Sequence, residues 1–124
     1  MVGRRADGPA LQAGFRRPEL HKGSPMLVHS VYFWLQPELT PAQCAAFRRG
    51  LDSLRGIACV EQVWVGTPAA VTARPVVDKT YSFALTVLCR DLAAHDAYQR
   101  DPLHQAFLTQ FKPYWSRVQI YDTE

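Results

Sequence analysis

The run YQRDPLHQAF, Tyr98 to Phe107, sets a tyrosine, an acid, a proline and a histidine in a short break between two helical patterns. Asp101 can cap a helix whose first residue is Pro102, which makes His104 the third residue of that helix. Backbone N–H groups are free there and the dipole is positive, so an imidazolium is disfavoured. His104 is thereby biased toward the neutral form, the state a general base needs. Phe107 and Phe111 follow on the same helical face, so His104 is expected to point at the core. In the preceding helix Leu92, His95 and Tyr98 recur every third residue and can meet His104 across the break. His29 shares its strand parity with Val31, Phe33 and Leu35. One strand and two helices can enclose a small cavity with this polar cluster at its end. The expected reactive groups are Tyr98, His104 and His29. Val31, Phe33, Phe47, Leu51, Leu85, Val87, Leu92, His95 and Phe107 are expected to wall the cavity.

The elements that must position these groups follow from periodicity. LVHSVYFWLQ, from Leu27, is rich in β-branched and aromatic residues and apolar on both parities, which predicts a strand covered on both faces. Thr40 and Pro41 open a helix carrying Cys44, Phe47, Leu51 and Leu54 at helical spacing, ending near Gly56. CVEQVWVG is a second strand closed by Gly66 and Pro68, and TYSFALTVLCR a third, after an irregular connection containing Pro75. Asp91 caps a second helix reaching about Arg100, the third helix runs from Pro102 to near Pro113, and RVQIYD is a short last strand. The order β-α-β-β-α-β, with its second helical region broken in two, predicts an α+β, ferredoxin-like fold: a four-stranded antiparallel sheet with its helices on one face. The other face is apolar and nothing remains in the chain to cover it. A second copy can do so, which predicts a homodimer with Trp34 or Trp64 at the seam.

Composition narrows the function classes. At 124 residues, 48 % hydrophobic and 20 % charged, the chain suits one domain of ordinary core size. The formal charge of +3 resides in residues 1–25, which carry five basic and two acidic residues. Residues 26–124 hold nine of each sign, so no basic stripe is present to track phosphates, and nucleic acid is not an expected partner. Residues 1–25, rich in Gly, Pro and Arg without a hydrophobic period, are expected to be a disordered or dispensable tail preceding a domain at 26–124. Arg4 and Arg5 are not followed by the apolar run of a secretory signal, and no stretch approaches the roughly eighteen apolar residues of a membrane span. Cys44, Cys59 and Cys89 are odd in number and widely spaced, which argues against disulfides or structural zinc and for small buried hydrophobes in a reducing cytoplasm.

The stretches HSVYFWL, YQRDPLH and IYD together resemble the stress-responsive A/B barrel (Dabb) family, with its histidine in strand one and Tyr-x-x-(His/Asp)-Pro-x-His before the last helix. The resemblance spans about Leu27 to Asp122. It implies a dimeric α+β barrel, and similarity to its best-understood members implies polyketide-cyclase-like chemistry without a cofactor. In such a reading Tyr98 and His104 act on a poly-β-ketone in the cavity, with His29 lining it. An aldol closure needs a base, here His104, and a donor to the developing oxyanion, here Tyr98, which can alternatively hold the His104 tautomer; His29 anchors a carbonyl. The chain departs from the family at His95, where an apolar residue is usual, and in helix one, where Phe47 is followed by Arg48, Gly50 and Leu51 instead of further bulky aromatics. A more polar cavity of different shape is implied.

A second reading keeps the same homodimer and cavity as a noncatalytic holder of a small apolar ligand, with Gly50 leaving room for it. A third assembles zinc from His29, His95 and His104, since three imidazoles suffice. Those histidines lack any local ligand spacing, so no metal is expected.

Overall fold

The computed structural model describes residues 26–124; the expectation of a tail at 1–25 lies outside the described residues. Strand β1 (Leu27–Leu35) is followed by α1 (Pro41–Ser53), β2 (Val60–Gly66), β3 (Phe83–Cys89), α2 (Leu92–Arg100), α3 (Pro102–Phe111) and β4 (Trp115–Thr123). The strands form one antiparallel sheet in the order β2-β3-β1-β4, the ferredoxin-like arrangement.

The helices begin where local chemistry directs them. Thr40 and Gln43 make a reciprocal capping box ahead of Pro41, and the Asp91 carboxylate accepts from the Ala94 N–H. Asp101 ends α2 and starts α3: it lies before a proline, which disfavours helical backbone, and its φ of −62° and ψ of 137° are extended. Its carboxylate accepts from the Leu103 N–H at 2.8 Å. The chain thus turns sharply between Tyr98 and His104 and brings their side chains together.

All three helices cover one face of the sheet. Leu27, His29, Val31 and Phe33 of β1 are buried there with Leu85, Val87 and Cys89 of β3. Phe47, Leu51, Leu54, Val87, Cys89 and Tyr98 are the largest fully buried side chains. Each apolar one contributes roughly 1.5–3 kcal/mol by leaving water. Burial pushes the Cys89 thiol up to about 11, so it is an inert core group; Cys44 and Cys59 are free and only half-buried, less enclosed than their apolar surroundings suggested. Gly50 reserves no space for a ligand. A Cβ there would lie 2.4 Å from the Phe111 ring, so the missing side chain lets α1 approach α3 and the ring fills the gap.

Strand β4 is the exception to full cover. It lies at the sheet edge beside β1, and Val118 and Ile120, although paired with Phe33 and Val31, remain 37 % and 46 % exposed. The helices stop short of this edge, which leaves a hollow beneath it.

Candidate functional site

The hollow is a cavity of about 240 Å³ between the β1–β4 edge and helices α2 and α3. Its walls are apolar and come from five places: Val31 and Phe33 of β1, Leu85 of β3, Leu54 after α1, Phe107 and Leu108 of α3, and Trp115, Val118 and Ile120 of β4. Three polar rings border it. Tyr98 stands between His104 and His29, its ring centroid 4.7 Å from the first and 5.7 Å from the second.

The Tyr98 hydroxyl is fully buried and has no hydrogen-bond partner among the described residues. Burial raises its pKa, so the phenol keeps its proton. A buried hydroxyl without a partner costs roughly 1–3 kcal/mol, so its presence needs a reason. The Tyr98 ring borders the cavity while its hydroxyl is sealed from it, so a ligand acceptor reaches this donor only when the wall shifts.

His104 donates from Nδ1 to the Gln99 carbonyl, at 3.2 Å. A carbonyl can only accept, so the proton is on Nδ1 and the neutral ring presents Nε2 as a free lone pair. The Gln99 backbone, and not Tyr98, therefore holds the tautomer. Burial is the main cause that lowers the His104 pKa. His29 and His95 push it the same way, while the Gln99 hydrogen bond and the Asp101 carboxylate oppose them. The expected neutral bias is present in direction, but desolvation produces it; the acid that caps α3 works against it.

His29 Nδ1 lies 2.5 Å from Asp122 Oδ1, paired across β1 and β4. Burial lowers the His29 pKa against the opposing pull of Asp122. His95 packs edge-on against His29 with centroids 5.1 Å apart, and its Nε2 is 3.9 Å from Asp122 Oδ1. His29, His95 and Asp122 place one ligand atom each within 4.8 Å of one another, the one such group among the described residues; His104 is outside it.

Of the expected wall residues, Val31, Phe33, Leu85 and Phe107 border the cavity. Phe47, Leu51 and Val87 do not: they are fully buried in the core outside its lining. Leu92 is 55 % exposed, also outside. Steps of three residues drift backward around a helix, so Leu92 is turned about 120° from Tyr98. Ala94, four residues before Tyr98, is the buried one, and His95 falls half-buried between them. Asp122, Leu54, Gln99, Leu108 and three β4 residues were absent from the expected site. The ferredoxin-like order sets the last strand beside the first, but only the register brings Asp122 opposite His29.

The opposite face of the sheet carries Tyr32, Trp34, Tyr81 and Tyr121 around a depression of about 320 Å³, with Arg117 4.1 Å over the Trp34 ring. Tyr32 packs on Tyr81 at 5.0 Å, and Trp34 donates to Thr80 at 2.8 Å, so the β2–β3 connection frames this patch. Trp64, on the same face, is 61 % exposed. Among the described residues no helix is long and apolar enough to cross a membrane.

The profile described as the stress responsive A/B barrel domain matches residues 27–124. No curated protein matches the chain. Solved structures share the fold: a dimeric ferredoxin-like protein of unknown function from Thermobifida fusca, 19 % identical, covers 87 % of this chain and 98 % of its own at a TM-score of 0.68. A Dabb family protein from Mesorhizobium loti is 23 % identical, covering 80 % of this chain and 95 % of its own, with a TM-score of 0.66. A hydroxynitrile lyase from Passiflora edulis is 17 % identical over 79 % of this chain and 91 % of its own, with a TM-score of 0.65.

Proposed function

The chain belongs to the stress-responsive A/B barrel domain family, and from that premise we propose that it is a cofactor-independent enzyme of carbonyl chemistry, making or breaking a carbon–carbon bond by proton transfer in the cavity under β4. The observation that carries this reading is the unpartnered, buried Tyr98 hydroxyl beside an imidazole whose tautomer leaves Nε2 free. Base and oxyanion donor share one apolar wall. In the closing direction His104 Nε2 takes an α-proton, the enolate carbon forms a bond to a second carbonyl of the same substrate, and the resulting alkoxide recovers the proton from His104. Tyr98 donates a hydrogen bond to the oxyanion throughout and keeps its own proton. Cyanohydrin cleavage, the activity in the name of the passion-fruit relative, asks for the same two groups: a base for the hydroxyl proton and a polarised carbonyl oxygen. At about 240 Å³ the cavity is below the roughly 300–1,000 Å³ of usual ligand pockets, which favours a small, largely apolar substrate.

Turnover of a short linear poly-β-ketone analogue and of an aromatic cyanohydrin tests the reading. His104→Ala should lower kcat/KM by about 10²–10⁴-fold, the usual worth of a positioned base. The pH profile has a definite sign. His104 must be neutral to act, and its pKa is depressed below 6.5, chiefly by burial. The groups that face it are Tyr98 and His95 of α2, Asp101 at the helix cap and His29 of β1. Activity should be level at neutral pH and fall as pH drops through a midpoint below 6.5. A midpoint at or above 6.5, or full activity in His104→Ala, would sink the assignment. Saturable binding of either compound without turnover would leave the protein a noncatalytic holder of small ligands.

The same chain acts as a homodimer joined through the aromatic face of Tyr32, Trp34, Tyr81 and Tyr121, in line with the description of the Thermobifida relative as dimeric. Light scattering at micromolar concentration should give twice the chain mass, and Tyr121→Asp should halve it. A monomeric unsubstituted chain is the contrary result.

A further inference from the structure

We propose that His29, His95 and Asp122 bind a single divalent transition-metal ion beside the cavity, with His29 the one ligand that also borders it. The ligands come from β1, α2 and β4, so the site exists only in the folded chain. Their ligand atoms already lie within 4.8 Å of one another. Tetrahedral coordination at about 2.0–2.2 Å puts ligand atoms about 3.3 Å apart. His95 Nε2 and Asp122 Oδ1, at 3.9 Å, need a small approach, and Asp122 must withdraw by slightly under 1 Å from its 2.5 Å contact with His29. The Asp122 side chain is 41 % exposed on an edge strand, so it has room to move.

The surroundings prepare the ligands. His95 Nδ1 can donate to the Asp96 carboxylate at 3.3 Å, which leaves Nε2 unprotonated toward Asp122 and supplies the outer-shell carboxylate that metal-bound histidines commonly have. The Gln99 amide, 3.4 Å from that Nε2, is the group an ion would displace. Two imidazoles and one carboxylate suit zinc, cobalt(II), nickel(II) or iron(II), and not magnesium or calcium, which take oxygen ligands. Solvent can complete the shell, since His95 and Asp122 are both partly exposed.

Metal binding has a consequence for the cavity. With Asp122 as partner, neutral His29 carries its proton on Nδ1 and its other nitrogen is an acceptor. A metal on Nδ1 moves that one proton to Nε2, and the free edge of the ring becomes a donor. The site does not depend on the proposed reaction, because it needs neither Tyr98 nor His104.

Cobalt(II) titration of the full, untagged, chelator-stripped chain, followed by its visible absorption and by calorimetry with zinc, is the test. One ion per chain is expected. His95→Ala and Asp122→Asn, both at partly exposed positions, should keep the apo fold by circular dichroism yet weaken binding by at least the roughly 10–100-fold that loss of an outer-shell partner costs. His104→Ala should bind within twofold of the unsubstituted chain. Absence of saturable binding, undiminished affinity in both His95→Ala and Asp122→Asn, or an equal loss in His104→Ala would each overturn the site.

Discussion

Tyr98→Phe is expected to unfold at the same temperature as the unsubstituted protein, or slightly higher, while losing about 10²–10³-fold in kcat/KM on any substrate the cavity turns over. Ordinarily the two effects move together. Truncating a buried tyrosine to phenylalanine breaks a hydrogen bond and costs about 1 kcal/mol. Here the hydroxyl has no partner among the described residues, so the fold loses no bond and is relieved of a desolvated polar group. The ring is retained, and with it the contacts to His104 at 4.7 Å and His29 at 5.7 Å. What disappears is the hydroxyl assigned to the oxyanion, while Gln99 and Trp115, whose side chains also carry N–H donors, remain in the cavity lining. His104→Ala removes the base and leaves a gap beside Tyr98, so that variant should lose both rate and some stability. The pair separates roles by pattern: rate without stability for Tyr98, rate with stability for His104. Thermal unfolding and steady-state kinetics on both variants check it. A Tyr98→Phe protein that loses more than about 1 kcal/mol and keeps its rate would identify the hydroxyl as a structural donor.

The features legible in the sequence were those decided within a few residues. Thr40–Pro41, Asp91 and Asp101–Pro102 mark the helix starts because caps and prolines act on their own turn. The alternation of β1 correctly puts His29 with Val31 and Phe33, since a strand cannot turn one side chain without turning its neighbours. Illegible were the features that depend on distant partners. His29 meets Asp122 across 93 positions, through a β1–β4 register that no local signal states. RVQIYD reads as a short strand, yet β4 begins at Trp115, and the wall formed by Trp115, Val118 and Ile120 came with that extension. Helical spacing misled at Leu92 for the opposite reason. The three-residue stripe is real in sequence but winds around the helix, so Tyr98 and His95 meet the sheet and Leu92 does not.

Phe47 separates core from cavity most sharply, because the family resemblance implies a place on the cavity wall and the structure leaves it out of the lining. Its ring is fully buried within 5.2–6.3 Å of Phe33, Phe83, Phe107, Phe111, Tyr114 and Trp115. Phe47→Ala should therefore cost about 3–5 kcal/mol, the transfer of the ring plus the hole it leaves. Against a total of about 5–15 kcal/mol for a domain, that lowers the thermal midpoint by about 15 °C or more. Phe47→Leu keeps most of the volume, should cost markedly less, and remains measurable if the alanine variant does not fold. Val118→Ala gives the contrast. Val118 lines the cavity at the partly exposed edge, so its truncation should cost under about 1 kcal/mol and act instead on ligand affinity. Denaturant unfolding and ligand titration on these variants decide the matter. Were Phe47→Leu to change affinity with stability untouched, and Val118→Ala the reverse, the ligand would sit deeper, against α1. The β4 edge would then be only the cavity's lip, and neither Tyr98 nor His104 would reach a bound carbonyl.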